Sequence, residues 1–314
     1  MMASKQSAAL VMAMLALWGC KHDGAGTVPS AAPEKRATSP AIVQLLAAVP
    51  DSAAALGFID LTEAPWALVT GGALMPLDEA SRKSLDKELR EHVERYLGLD
   101  VSKLQYAVGF VSGPPMHGAV LLKTVGGTPK VPGARDYEGG KLWLVDPERN
   151  VSLAIRGDVV VFGEDAAVRE VLDTQAGKRK AVTATNQPLV DWLRQESKGA
   201  ALAFAAIKPQ SLPLPPPLAG LTRVAVSINA YGITAVVEGD DAAISALQTQ
   251  ADQAIAQMLA EVEQPRAAAH AGTINPLEGA AAIIGAAYAR SYAAQVKPRR
   301  TGNRLSASLV LGLA

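Results

Sequence analysis

Val160-Val161-Phe162-Gly163-Glu164-Asp165-Ala166-Ala167-Val168 is a strand that runs through a glycine into a helix, and it reappears as Val236-Val237-Glu238-Gly239-Asp240-Asp241-Ala242-Ala243-Ile244. In both copies β-branched residues give way at glycine to an acidic pair and then to the apolar spacing of a first helical turn. Each copy follows a strand pair. Residues 151–155 and 159–162 are joined by Arg156-Gly157-Asp158, a connection short enough to need the positive φ that glycine supplies. Residues 223–228 and 233–237 are joined about Asn229 and Gly232. The helix after Gly163 takes Asp165 as its expected N-cap, Val168, Val171 and Leu172 as its buried face, and Gly177 as its stop. Thr174-Gln175-Ala176 also recurs, as Thr249-Gln250-Ala251. The echo reads as duplication of a hairpin-then-helix unit. Convergence is the alternative, since any strand that passes through glycine to an Asp-capped helix takes this form. The expected fold class is α+β, with antiparallel sheets, packed helices and, under the duplication reading, two hairpin-helix halves.

Around this core the same signals recur. Residues 54–61 read as a strand entering the core after the turn Val49-Pro50-Asp51-Ser52, and 104–111 and 119–124 as a hairpin with a longer loop containing His117. Leu77, Leu85, Leu89, Val93 and Leu97 mark an amphipathic helix. Residues 198–207 are a further strand candidate. Pro209-Gln210-Ser211-Leu212-Pro213-Leu214-Pro215-Pro216-Pro217 favours an extended surface connection. Residues 277–296 form an alanine-rich helix bearing Ile283, Ile284, Tyr288 and Tyr292, and 304–313 alternate well enough to close a sheet.

The amino terminus carries a different kind of information. Lys5 precedes an apolar run from Ala8, too short to cross a bilayer core, and the run ends at Leu17-Trp18-Gly19-Cys20. A cationic start, a short apolar stretch and a small residue before the cleavage point make a secretory signal. Leu17, Gly19 and Cys20 resemble the lipobox of bacterial lipoproteins, with Trp18 a departure at the middle position. That resemblance implies cleavage before Cys20, acylation of Cys20, and stable membrane attachment through more than one chain. Lys21 and His22 follow, and aspartate first occurs at Asp23, past the position that retains many lipoproteins in the inner membrane. The outer membrane is therefore the expected location, with a Gram-positive surface as the alternative. Residues 1–19 read as signal peptide and 20–41 as a flexible tether, followed by a first α+β half at 42–182 and a second at 183–314.

Composition narrows the function. The chain has 314 residues, 30 basic and 30 acidic, with a formal net charge of zero. Nucleic-acid binding needs a basic surface and is not expected. Cys20 is the one cysteine, so neither a disulfide nor a zinc-thiolate site is expected in the body. The histidines His22, His92, His117 and His270 share no metal-binding spacing, and no cofactor is expected. Ser84-Leu85-Asp86-Lys87 matches Ser-x-x-Lys only formally, because helical charge alternation accounts for it. Gly126-Gly127-Thr128-Pro129-Lys130 lacks the phosphate-binding ending of a P-loop. Asp60, Glu63, Glu164 and Asp165 are explained as turn and cap residues, and Trp66, Trp143 and Trp192 are scattered. Arg156-Gly157-Asp158 matches an adhesion tripeptide by letters, yet a hairpin turn explains it. Catalytic residues are expected to be none.

Val49-Pro50-x-x-Ala53 and Gly57-x-x-Asp60-Leu61, followed by helix and hairpins, loosely resemble uncharacterised secreted or lipid-anchored bacterial proteins with α+β halves. The resemblance implies a noncatalytic envelope protein and assigns no site residues. The expected function is a lipid-anchored scaffold or interaction protein with a membrane contact at Cys20 and an envelope protein partner. A lipoprotein holding an apolar or small ligand between its halves is the alternative, and a hydrolase is third. An apolar-lined cavity would favour ligand binding, whereas a closed core with an exposed apolar patch would favour docking.

Overall fold

The computed structural model describes residues 39–62, 100–125, 133–197, 199–208, 219–229 and 232–310, with scattered positions between 80 and 95. Cys20, Leu17, Gly19, the tether up to residue 38, and the proline segment at 209–217 lie outside the described residues. So do Leu77, Leu85, Leu89, Val93 and Leu97, although the described positions between 80 and 95 are helical.

The described fold is α+β, and its strands form one twelve-stranded sheet. The chain enters through helix α1 (Pro40–Leu46) and strand β1 (Ala53–Asp60). It continues through β2 (Leu104–Ser112), β3 (His117–Thr124), β4 (Arg135–Tyr137), β5 (Gly140–Asp146), β6 (Val151–Arg156) and β7 (Val159–Glu164). Helices α2 (Asp165–Gln175), α3 (Val182–Thr185) and α4 (Gln187–Glu196) precede β8 (Leu202–Ile207), β9 (Leu221–Asn229) and β10 (Gly232–Gly239). The last elements are α5 (Asp241–His270), α6 (Pro276–Val296), β11 (Arg299–Thr301) and β12 (Arg304–Val310). Strand order is β11-β12-β10-β9-β8-β1-β2-β3-β7-β6-β5-β4, and every pairing is antiparallel.

Both expected hairpin-then-helix units are present, as β6-β7-α2 and β9-β10-α5. They sit in one sheet, joined where β1 pairs with β2 on one side and β8 on the other. Register explains which residues face inward. Leu56 and Phe58 lie opposite Phe110 and Val108 of β2 and opposite Ala205 and Ala203 of β8. Since side chains alternate along a strand, these residues share one face. Ile42, Leu45 and Leu46 of α1, Val168, Val171 and Leu172 of α2, and Leu189, Val190, Trp192 and Leu193 of α4 join them in a single buried cluster. The opposite face carries two smaller clusters. One lies around Trp143, Leu153 and Val160, and the other is where Ile244 of α5 meets Leu221 and Leu305.

Glycine is structurally required at two points of the first unit. Gly157 has φ +62 in the tight turn, where Arg156 pairs with Val159. At Gly163, a Cβ would stand 2.6 Å from the Cα of Ala119 on β3. Only a residue without a side chain lets β7 approach β3 there.

Several expectations change in detail. The N-cap of α2 is Glu164 and not Asp165; Glu164 makes no side-chain cap bond. Asp165 opens the helix and turns inward to accept from the Ser152 hydroxyl at 2.6 Å and from Arg169 Nε at 2.6 Å. In the second unit Asp240 does cap, accepting from the Ala243 N–H at 2.7 Å. Helix α1 already covers Pro40 and Ala41, with the Ser39 hydroxyl accepting from the Ala41 N–H.

Candidate functional site

Helices α5 and α6 form an antiparallel hairpin packed on β10 and β12. Asn275 caps α6 by accepting from the Glu278 N–H at 2.9 Å, and Pro276 follows at the first helical position, where its missing N–H costs nothing. The helices approach closely: a Cβ at Gly279 would stand 3.3 Å from the Ala269 Cβ. Arg290 of α6 reaches Glu263 of α5 at 2.5 Å, and Arg266 reaches the same carboxylate at 2.9 Å. The hydrogen bond from Arg266 leads the interactions that hold the Glu263 carboxyl below its ordinary value, against a smaller opposing effect of burial.

The two helices treat solvent differently. On α5, Ile244 and Ala251 turn inward, while exposed positions include Thr249, Gln250, Asp252, Gln253, Gln257 and Glu261. That is ordinary amphipathicity. On α6, Gly279, Ala286 and Ala293 are buried, and the opposite face is Leu277, Ala280, Ala281, Ile284, Ala287, Tyr288 and Ser291, all exposed. Leu277 is 83% accessible, Ile284 55% and Tyr288 41%. No charged residue stands on this face; Glu278 and Arg290 flank it. A helix apolar all round normally has both sides covered.

Two polar clusters were also candidates for chemistry. The first joins the β2-β3 loop to α2. Glu170 accepts from the Ser52 hydroxyl at 2.8 Å and from Arg179 Nη1 at 2.7 Å, and lies 3.3 Å from His117 Nε2. Ser52 also meets the buried Ser112 at 2.9 Å, Arg179 donates to Asp51 at 2.9 Å, and His117 Nδ1 lies 2.9 Å from the Pro115 carbonyl. Nucleophilic catalysis needs the imidazole on the hydroxyl. Here the carboxylate stands between them, so the cluster ties loop, strand and helix together. His117, placed in the loop by its sequence, opens β3 instead, and its side chain is only 14% accessible. Sequence reasoning missed this junction because its members are far apart in the chain, and only His117 attracted notice.

The second cluster is a charge ladder across β9, β10 and β12. Arg223 and Arg304 pair with Glu238 at 3.3 Å each, Arg304 also reaches Glu196 at 2.8 Å, and both guanidinium groups lie 5.3 Å from the Trp192 ring. Trp192 donates to the Val224 carbonyl at 3.1 Å. A groove of about 770 Å³ runs beside this ladder, lined by Lys208, Thr222, Arg223, Glu238, Asn303 and Arg304 among others. Most of its lining residues are of charged or polar type, while their aliphatic parts, with Ile207, supply most of the surface the groove exposes.

Other sequence candidates have local roles. Asp60 accepts from the Thr62 N–H at 3.0 Å, as a turn residue does. Asp158 of the Arg156-Gly157-Asp158 turn pairs with Lys123 at 2.5 Å. Ser84 donates to Glu88 one turn along its helix. His22, His92, Glu63 and Trp66 lie outside the described residues. Among the described residues, no group of three or more His, Cys, Asp and Glu is placed to hold a metal, and no helix is long and apolar enough to cross a membrane.

No family model and no curated protein matches this chain. Among solved structures, crystal forms I and IV of TP0453 align at a TM-score of 0.38 and form III at 0.37, each with 11% identity over 85% of this chain. The alignments cover 93% of TP0453 in forms I and IV and 94% in form III. At that likeness nothing transfers from TP0453 to this chain.

Proposed function

We propose that this protein is a lipid-anchored, noncatalytic component of the bacterial cell envelope that docks onto another protein surface through the outer face of α6. The observation that carries the reading is that face: Leu277, Ile284 and Tyr288 stand in solvent on a helix whose outward side has no charge. Soluble folds keep large contiguous apolar patches for contact. The continuous cluster of buried side chains beneath the sheet favours docking over storage of an apolar ligand. Anchoring at Cys20, with cleavage after Gly19, would place the domain at the outer membrane surface within reach of its partner.

Two measurements test the reading. Cys20→Ala is expected to abolish incorporation of a labelled fatty acid and move the protein from the membrane to the soluble fraction; unchanged membrane association would overturn the anchor. Ile284→Glu in the full chain is expected to deplete at least one protein co-purifying from native envelopes by about tenfold, the scale of one lost apolar anchor of about 1.4 kcal/mol. An identical set of co-purifying proteins would sink the docking role of α6.

A further inference from the structure

We infer that the α5-α6 hairpin is a rigid arm that rocks on the sheet about its two attachments, with Arg300 of β11 as the latch that holds it down. The arm leaves the sheet at Asp240, after β10, and returns at Pro298, before β11. Both attachments belong to strands that flank β12, which pairs with β10 on one side and β11 on the other. Two attachments define an axis about which the helices between them can turn. The inference goes beyond the docking reading and does not depend on it, although the arm carries the exposed face of α6.

Burial separates the base of the arm from its far end. At the base, Ala243 and Ile244, with Leu247, pack against Leu221 and Leu305 of the sheet in a cluster apart from the main core. Ala293 and Val296 are buried near the return. From Asp252 to Gly285 the one buried residue is Gly279. Its burial comes from the hairpin itself, since a Cβ there would meet Ala269 of α5 at 3.3 Å and Ile274 of the connection at 4.0 Å. A segment with so few buried apolar side chains opens more readily than a core. Within the arm the two helices are tied together by that close approach and by Glu263, which Arg266 and Arg290 share. The pair therefore moves as one body.

Arg300 crosses from sheet to arm at the base. Its Nη1 donates to the Ser245 hydroxyl at 2.8 Å and its Nη2 pairs with Asp241, both on the first turns of α5. Its Nε donates to the Gly302 carbonyl at 3.0 Å, in the turn between β11 and β12. One planar guanidinium thus binds both sides of the joint, and its fixed fork sets the angle between them. The Asp241 side chain is 83% accessible, and a pair so exposed is screened by solvent. Such a latch holds the arm without locking it.

The test is thiol labelling of the full chain carrying Cys20→Ala, with one cysteine introduced at a time and a maleimide as the probe. Ala243→Cys reports the base of the arm, and Ala205→Cys, in the main core, reports unfolding of the whole fold. Ala243→Cys is expected to react at least about tenfold faster than Ala205→Cys, because the base opens while the core stays closed. Arg300→Gln is expected to speed labelling at Ala243→Cys by about a further tenfold, the scale of one lost charged hydrogen bond, and to leave Ala205→Cys unchanged. Asp241→Asn is expected to act in the same direction by a smaller factor. Amides at 255–262, in the middle of α5, are expected to keep their protection in Arg300→Gln, read by hydrogen-exchange mass spectrometry, because a rocking arm keeps its helical hydrogen bonds. Equal labelling rates at Ala243→Cys and Ala205→Cys would overturn the arm, since the base would then open only with the whole molecule. Faster exchange at 255–262 in step with labelling would overturn it as well, because the hairpin would be melting and not rocking. Equal acceleration of both cysteines by Arg300→Gln would overturn the latch. The docking reading is decided separately, by Ile284→Glu.

Discussion

Asp165 shows how one residue can carry more than its sequence position suggests. Placed by pattern as a cap, it instead binds Ser152 and Arg169 and lies 4.0 Å from Arg135. Burial pushes its carboxyl upward, but hydrogen bonds from Arg169 and Ser152, with the charges of Arg169 and Arg135, outweigh it and hold the carboxyl below its ordinary 3.8. The sign of the linkage follows: a lowered folded value gives stability that is complete above the ordinary value and lost as pH falls through the folded one. Asp165→Asn keeps the shape, removes the charge and leaves Arg169 without its partner. We expect it to cost about 1–2 kcal/mol at pH 7. Urea unfolding of both proteins at pH 7 and near pH 3 checks this, with the gap closing at the lower pH. A gap that stays constant would mean the carboxylate charge does not contribute.

Elements divide into those that local pattern determines and those that only packing determines. The β6-β7 and β9-β10 hairpins were legible because alternation, a glycine turn and a helix start occur within a few residues of one another. Helix α6 and strand β12 were legible from length and alternation. Helices α1 and α4 were not. The first has three inward residues, Ile42, Leu45 and Leu46, in a stretch whose prolines resemble tether; the second is 10 residues whose period is clear only once the sheet beneath is known. Strand β4 is three polar residues held by pairing with β5. The outward face of α6 could not be read from sequence at all, because an apolar period on every side gives no direction. Helix α5 also breaks a local rule by running through Pro265, and interior proline costs about 3 kcal/mol of helix stability. Pro265→Ala is therefore expected to slow amide exchange over the last two turns of α5, read by hydrogen-exchange mass spectrometry. Faster exchange there would mean that the backbone course set by Pro265 is what seats α6.

At the scale of the molecule, the sequence suggested two halves, and the structure runs one sheet through both. Leu189, Val190, Trp192 and Leu193 of α4, with Ala203, Ala205, Ala225 and Val236, lie in the same buried cluster as Leu56, Phe58 and Leu121. Repetition in sequence therefore records how the sheet is built along the chain, while the hydrogen bonds between β1 and β8 decide how it holds together. Cutting at residue 182 would leave β1 as an open edge and remove α4 from the face formed by Leu56 and Phe58. Several large apolar side chains would then meet water, each at about 1.5–3 kcal/mol, against a total stability of only about 5–15 kcal/mol for a typical domain. The described body is thus expected to unfold in one calorimetric transition, with calorimetric and van't Hoff enthalpies in agreement. Residues 42–182 alone are expected to bind a hydrophobic dye and to lack a cooperative melt. A sharp melt of that fragment, or two resolved transitions in the full chain, would show that each half closes its own core and that the contact between β1 and β8 is an interface between domains.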